Sequence, residues 1–197
     1  MKAIENLPGR IGETTEFRGE TSVVIERAKI VEACRYLKTK CGFDMLVDLS
    51  GVDNYGEDPR YAVTYELCSL TDRCHLRLKV AVPEDDLIVD SVVPVWKTAD
   101  WHEREAFDMF GIRFRNHPNL KRILMWEGYP HFPLRKDFPL AGLPAELPET
   151  AVDSGKVNTA AMLGGPFVTT PGAGTSARRE PRQSDTPAER IEKKGAS

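Results

Sequence analysis

Two runs of strictly alternating apolar and polar positions set the frame of this chain. Tyr61, Val63, Tyr65 and Leu67 alternate with Ala62, Thr64, Glu66 and Cys68. Cys74, Leu76, Leu78, Val80 and Val82 alternate with His75, Arg77, Lys79 and Ala81. A period of two places one set on each face of a strand, so the runs predict an antiparallel hairpin with one apolar and one polar face. Upstream, residues 14–26 read as two short β segments around Arg18-Gly19, with β-branched Val23, Val24 and Ile25 suited to a strand. Residues 27–41 predict a helix, because Ile30, Cys34, Leu37 and Cys41 recur at helical spacing and Gly42 follows as a C-terminal cap. Met45, Val47 and Leu49 suggest a further strand ending near Gly51, followed by a loop over 51–59. Residues 87–95 are apolar but broken by Pro94, and read as a short strand or turn. Asp100 is expected to cap a helix over 101–110, which Gly111 stops.

These elements predict an α+β class: a mainly antiparallel sheet with about two helices on one face, followed by a long extended C-terminal tail. The tail is predicted from proline. Ten of the fourteen prolines lie between Pro118 and Pro187, and each removes a donor and constrains the residue before it. The domain is therefore expected over 1–118 and a proline-rich tail over 119–197. The last residues have the composition of a segment that buries no core of its own, while the apolar stretch at 163–171 suits a chain lying across another protein. Protease sensitivity is expected beyond about Leu140.

Charge narrows the function. Twenty-seven basic and 30 acidic residues give a net charge of −3, which offers no electrostatic reason to bind nucleic acid. No window approaches a membrane-spanning length of apolar residues, and the N-terminus lacks the apolar core of a signal peptide. A membrane would then be reached only through partners. Cys34, Cys41, Cys68 and Cys74 form no C-x-x-C pair, so four reduced thiols, mostly packed as small hydrophobes, are expected rather than a zinc or iron–sulfur site.

Candidate chemistry concentrates between Trp101 and Leu140. His102, Glu103, Arg104, Glu105 and Asp108 share one predicted helix, but Ala106 stands where a zinc-binding H-E-x-x-H would need its second histidine. A charged helix face with an Arg104–Asp108 pair is the simpler reading. His117 and His131 stand beside prolines, as structural hydrogen-bonding groups or as ligands. Arg135 and Lys136 lie in a proline-flanked LRKD, suited to a phosphate, to a partner's carboxylates or to a solvated turn. The chain has no glycine-rich phosphate loop.

EREAFDMFGIRF (103–114), HPNLKRIL (117–124) and PLRKDFPL (133–140), in that order and at those separations, closely resemble the C subunit of NADH-quinone oxidoreductase, which is the 30-kilodalton subunit of respiratory complex I. The resemblance covers about forty residues and fades beyond Leu140. It implies a member of the peripheral arm of a proton-translocating complex, on the cytoplasmic side of the inner membrane, without a flavin, iron–sulfur cluster or metal of its own. FMN and iron–sulfur clusters are expected in partner subunits. The chief expected partner is the large quinone-site subunit, with neighbouring peripheral-arm subunits beside it. The matching positions are Glu103, Arg104, Glu105, Asp108, Gly111, His117, Pro118, Arg122, Leu134, Arg135, Lys136 and Asp137. Their implied role is fold closure and contact between subunits rather than catalysis. Asn116 departs from the glycine often found before the His-Pro. Two alternatives accompany this reading: the equivalent subunit of a membrane-bound hydrogenase or other quinone-linked dehydrogenase, and a free-standing metallohydrolase using His102, Glu105, Asp108 and His117.

Overall fold

The computed structural model describes residues 6–140, 142 and 143. Strands β1 (Arg10–Phe17) and β2 (Glu20–Ile25) form a hairpin and lead into helix α1 (Ile30–Lys40). Strands β3 (Met45–Asp53), β4 (Tyr61–Ser69) and β5 (Cys74–Val82) follow, then β6 (Ile88–Asp90), helix α2 (Ala99–Phe110) and β7 (Arg113–Arg115). Five strands make one sheet in the order β1-β2-β5-β4-β3, in which only the β2–β5 pairing is parallel. Strands β6 and β7 form a separate parallel pair.

The alternating runs behave as their period requires. Tyr61, Val63, Tyr65 and Leu67 of β4 lie opposite Val82, Val80, Leu78 and Leu76 of β5, and all eight are buried. Val23 and Ile25 of β2 extend this apolar face. Ile30, Ala33, Cys34 and Leu37 of α1 and Ala99 and Ala106 of α2 join the same core, so both helices cover one face of the sheet.

Three expectations change. In β3 it is Leu46, not Met45 or Val47, that is buried with Leu49. The register shifts between Leu46 and Asp48, and this bulge turns both leucines inward where strict alternation could not. Asp100 is not the cap of α2. The helix begins two residues earlier, at Ala99, with Thr98 at the N-cap position and no side-chain hydrogen bond there. Of the four free cysteines only Cys34 is buried, while Cys74 is exposed.

The compact unit also runs further than the expected boundary at 118. It extends to Leu140, although residues 116–140 contain no helix or strand. The expected tail beyond Leu143, including the apolar stretch at 163–171, lies outside the described residues.

Candidate functional site: the closure around helix α2

Helix α2 ends at Gly111, which takes a left-handed φ of 80° and whose amide caps the carbonyl of Phe107. A side chain there would be strained, and it would also collide: a Cβ would lie 2.6 Å from Arg135 Nη2 and 2.8 Å from Phe132 Cζ. The helix approaches the sheet as closely. A Cβ at Gly51 in β3 would stand 2.6 Å from the Phe110 ring. Beyond β7, Asn116 turns the chain with a φ of 64°. Asparagine is among the few non-glycine residues that tolerate this conformation, which accounts for its standing in place of glycine.

Asp108 is fully buried on the opposite side of α2 from solvent. One carboxylate oxygen accepts Arg122 Nη1 at 2.6 Å. The other accepts three successive amides, those of Ile123, Leu124 and Met125, at 2.9, 2.7 and 2.9 Å. Consecutive amides aimed at one anion make a concave cradle that holds charge without a helix terminus. Arg122 also reaches the Asp108 carbonyl at 3.0 Å and the His131 carbonyl at 3.3 Å, and lies over the Phe132 ring. Arg104 does not pair with Asp108. Its guanidinium bonds the carbonyls of Lys121 and Arg122 at 3.0 and 3.3 Å. The long-range partner wins because Asp108 is already satisfied inside, where an unpaired charge would be costly.

The LRKD segment closes the opposite end. Arg135 Nε donates to the carbonyl of Phe110 at 2.8 Å and stacks 4.4 Å above Phe132. The amide of Lys136 donates to Asp53 Oδ2 at 2.7 Å. Asp137 accepts Arg60 at 3.1 Å. Leu134 is half exposed, but its amide bonds the Met109 carbonyl at 3.2 Å. Behind them sits a pair that no motif in the sequence marks: Arg60 grips Asp53 with two bonds of 2.8 and 2.9 Å. The Arg60 hydrogen bonds hold the Asp53 carboxyl below the usual carboxylate range. Charged residues at both ends of the 51–59 loop are the one signal that could have found it.

Glu103 is the second buried acid of α2. Its Oε1 accepts the Val92 amide at 2.7 Å, whereas Oε2 has no hydrogen-bond partner and lies 3.9 Å from His117 Nε2. Burial pushes this carboxyl up to about 7, against the opposing pull of the Ser91 and Val92 hydrogen bonds. The His117 side chain is itself buried. Its Nδ1 accepts the Asn119 amide at 3.0 Å, so Nε2 carries the proton and faces the Asp100 carbonyl at 3.2 Å. Pro118 follows it in the turn. Glu105 is exposed and is not drawn into these contacts.

The four residues of the metallohydrolase alternative do not converge. His102 pairs with Asp48 at 3.2 Å, Asp108 is enclosed by Arg122 and amides, and His117 faces Asp100. Among the described residues no group of three or more His, Cys, Asp and Glu could hold a metal ion. Among them, too, no helix is long and apolar enough to cross a membrane.

Comparison with known proteins places this arrangement. The chain is 43% identical over 142 residues to the NADH-quinone oxidoreductase C subunit of Geotalea uraniireducens, covering 72% of this chain and 87% of that one. It is 48% identical over 139 residues to a C subunit of the same enzyme, the one numbered 2, from Rhizobium etli, covering 68% and 74%. A solved structure of Nqo5, as a trypsin-resistant fragment (1-134), superposes with a TM-score of 0.54 at 32% identity, covering 60% of this chain and 94% of that one. A chain of an archaeal membrane-bound sulfane sulfur reductase has the same fold, with a TM-score of 0.61 at 21% identity over 71% and 82% of the two chains. The family described as respiratory-chain NADH dehydrogenase, 30 Kd subunit, matches residues 23–144, and the chain belongs to it.

Proposed function

We propose that this chain is a non-catalytic structural subunit in the peripheral arm of a proton-translocating NADH:quinone oxidoreductase, packed against the quinone-site subunit. The observation that carries the reading is the fate of the motif charges. Asp108 and Arg122 are spent on each other and on backbone groups, Arg135 on the Phe110 carbonyl and the Lys136 amide on the Asp53 carboxylate, closing the chain around α2. Residues engaged in this way hold a shape and are not poised for proton or electron transfer. The relatives' names supply the complex. The flavin and iron–sulfur clusters then reside in partner chains, and the membrane is reached through those partners on the cytoplasmic side of the inner membrane.

Affinity purification of the tagged full chain from membranes tests the reading. Co-purification of a flavin-binding NADH subunit and the quinone-site subunit is expected. Recovery with hydrogenase subunits, or as a free monomer, would contradict it.

A further inference from the structure

Trp101, Arg104 and Phe107 follow one another along α2 at intervals of three and share a face. Trp101 is 65% exposed, and the Arg104 guanidinium lies 5.2 Å from its ring centre. Beside them opens a pocket of about 300 Å³ lined by Arg104, Phe107, Leu120, Lys121, Arg122 and Glu127. Its charge is one-sided. Asp108 balances Arg122, but Arg104 meets neutral carbonyls and the Trp101 ring and Lys121 is exposed, leaving Glu127 as the single acid of the lining. Phe107 and Leu120 give the same pocket apolar surface.

We propose that this pocket docks an acidic segment of a neighbouring subunit, with a carboxylate set between Arg104 and Lys121 and an apolar side chain against Phe107 and Leu120 beside Trp101. The inference rests on the reading of the chain as a member of an assembled complex. Two physical arguments select this occupant. Backbone carbonyls already hold Arg104 in place, so little side-chain freedom is lost when a carboxylate arrives. Tryptophan and arginine are among the residues in which binding energy concentrates at protein interfaces, and here an exposed Trp101 lies beside Arg104, while the apolar lining offers a bare anion or a phosphate nothing.

The test uses the full chain in its membrane complex, with a photo-crosslinking p-benzoyl-phenylalanine in place of Trp101. The expected product joins this chain to a peptide of another subunit that carries Asp or Glu beside the crosslink. Lys121→Glu should lower its yield by about tenfold or more, since like charges at an interface cost over a kcal/mol, while Lys121→Arg preserves it. Lys121 is exposed, so neither change disturbs the core. Crosslinks to lipid, to this chain alone or to a peptide without acidic residues would overturn the proposal, as would a yield indifferent to Lys121→Glu. A tagged chain that carries no other subunit would overturn the reading as a member of a complex, and the docking site with it.

Discussion

Asp108 and Arg122 are 14 residues apart in sequence and 2.6 Å apart in space, one at the end of a helix and the other in a stretch without regular structure. The pair anchors that stretch to the core, and the three amides on the second Asp108 oxygen fix its path. Four donors on one buried carboxylate let an irregular segment behave as part of the domain.

Asp108→Asn should therefore destabilise the domain strongly. It leaves Arg122 without its counter-charge and the amide cradle without its anion, a loss of about 3–5 kcal/mol for a broken buried pair. Urea unfolding measures it, and limited trypsin digestion localises it: cleavage after Lys121 and Arg122 should accelerate. Wild-type stability with wild-type digestion would refute the anchoring role.

The Arg60 cluster separates buried from exposed pairing. Asp53 is wholly buried, whereas the Glu84 and Asp137 side chains are 59% and 50% exposed. Asp53→Ala is expected to cost about 3 kcal/mol or more. Glu84→Ala and Asp137→Ala should each cost less than about 1 kcal/mol. Equal losses from all three, read from chemical unfolding, would show that burial does not decide the matter here.

Glycine substitution probes the two close approaches. Gly51→Ala is expected to destabilise by about 1–3 kcal/mol through overpacking against Phe110, with no backbone strain involved. Gly111→Ala adds about 1–2 kcal/mol of left-handed strain to its collision with Phe132 and Arg135. Gly56→Ala is the control for strain alone, since φ is 90° and nothing lies within 4 Å. Thermal unfolding of the three variants should rank Gly111→Ala as the most damaging.

Glu103 predicts an unusual pH dependence. Its carboxyl titrates near 4.5 when unfolded and is raised to about 7 when folded, chiefly by burial. Between those values the folded chain binds more protons, so stability falls as pH rises from about 4.5 to about 7 and is level above. The span corresponds to about 3 kcal/mol. Asp53 acts in the opposite sense: its carboxyl is lowered, so its contribution is lost as pH falls through the folded value. Glu103→Gln should flatten the decline between pH 4.5 and 7 and leave the acid limb in place. An unchanged slope in unfolding curves across that range would count against the raised carboxyl.

Much of this fold is legible in the chain, for reasons visible at particular residues. The β4–β5 hairpin can be read because period-two alternation admits one register of burial, and Gly111 because helix ends favour glycine. The bulge in β3 cannot, since Leu46 and Leu49 face the same way only after the register slips. Between residues 118 and 140 proline density argues correctly against helix and strand, but not against packing. Asp108 holds a non-repetitive backbone through three amides and Asp53 through one, and no periodicity records such bonds. The motif around α2 is recognisable as a motif. Its partners are not: Asp53 and Arg60 come from a distant part of the sequence, and Asp100 reads as a helix cap.

The central claim is that the motif residues close a fold and serve assembly, and Arg135 tests it most directly. Arg135 binds the last carbonyl of α2 and packs beneath Gly111. In membranes carrying Arg135→Ala, the amount of assembled complex and its NADH-dependent quinone reduction should be measured together. The account predicts fewer assembled complexes, each with wild-type turnover. Full assembly with quinone reduction lost would contradict it.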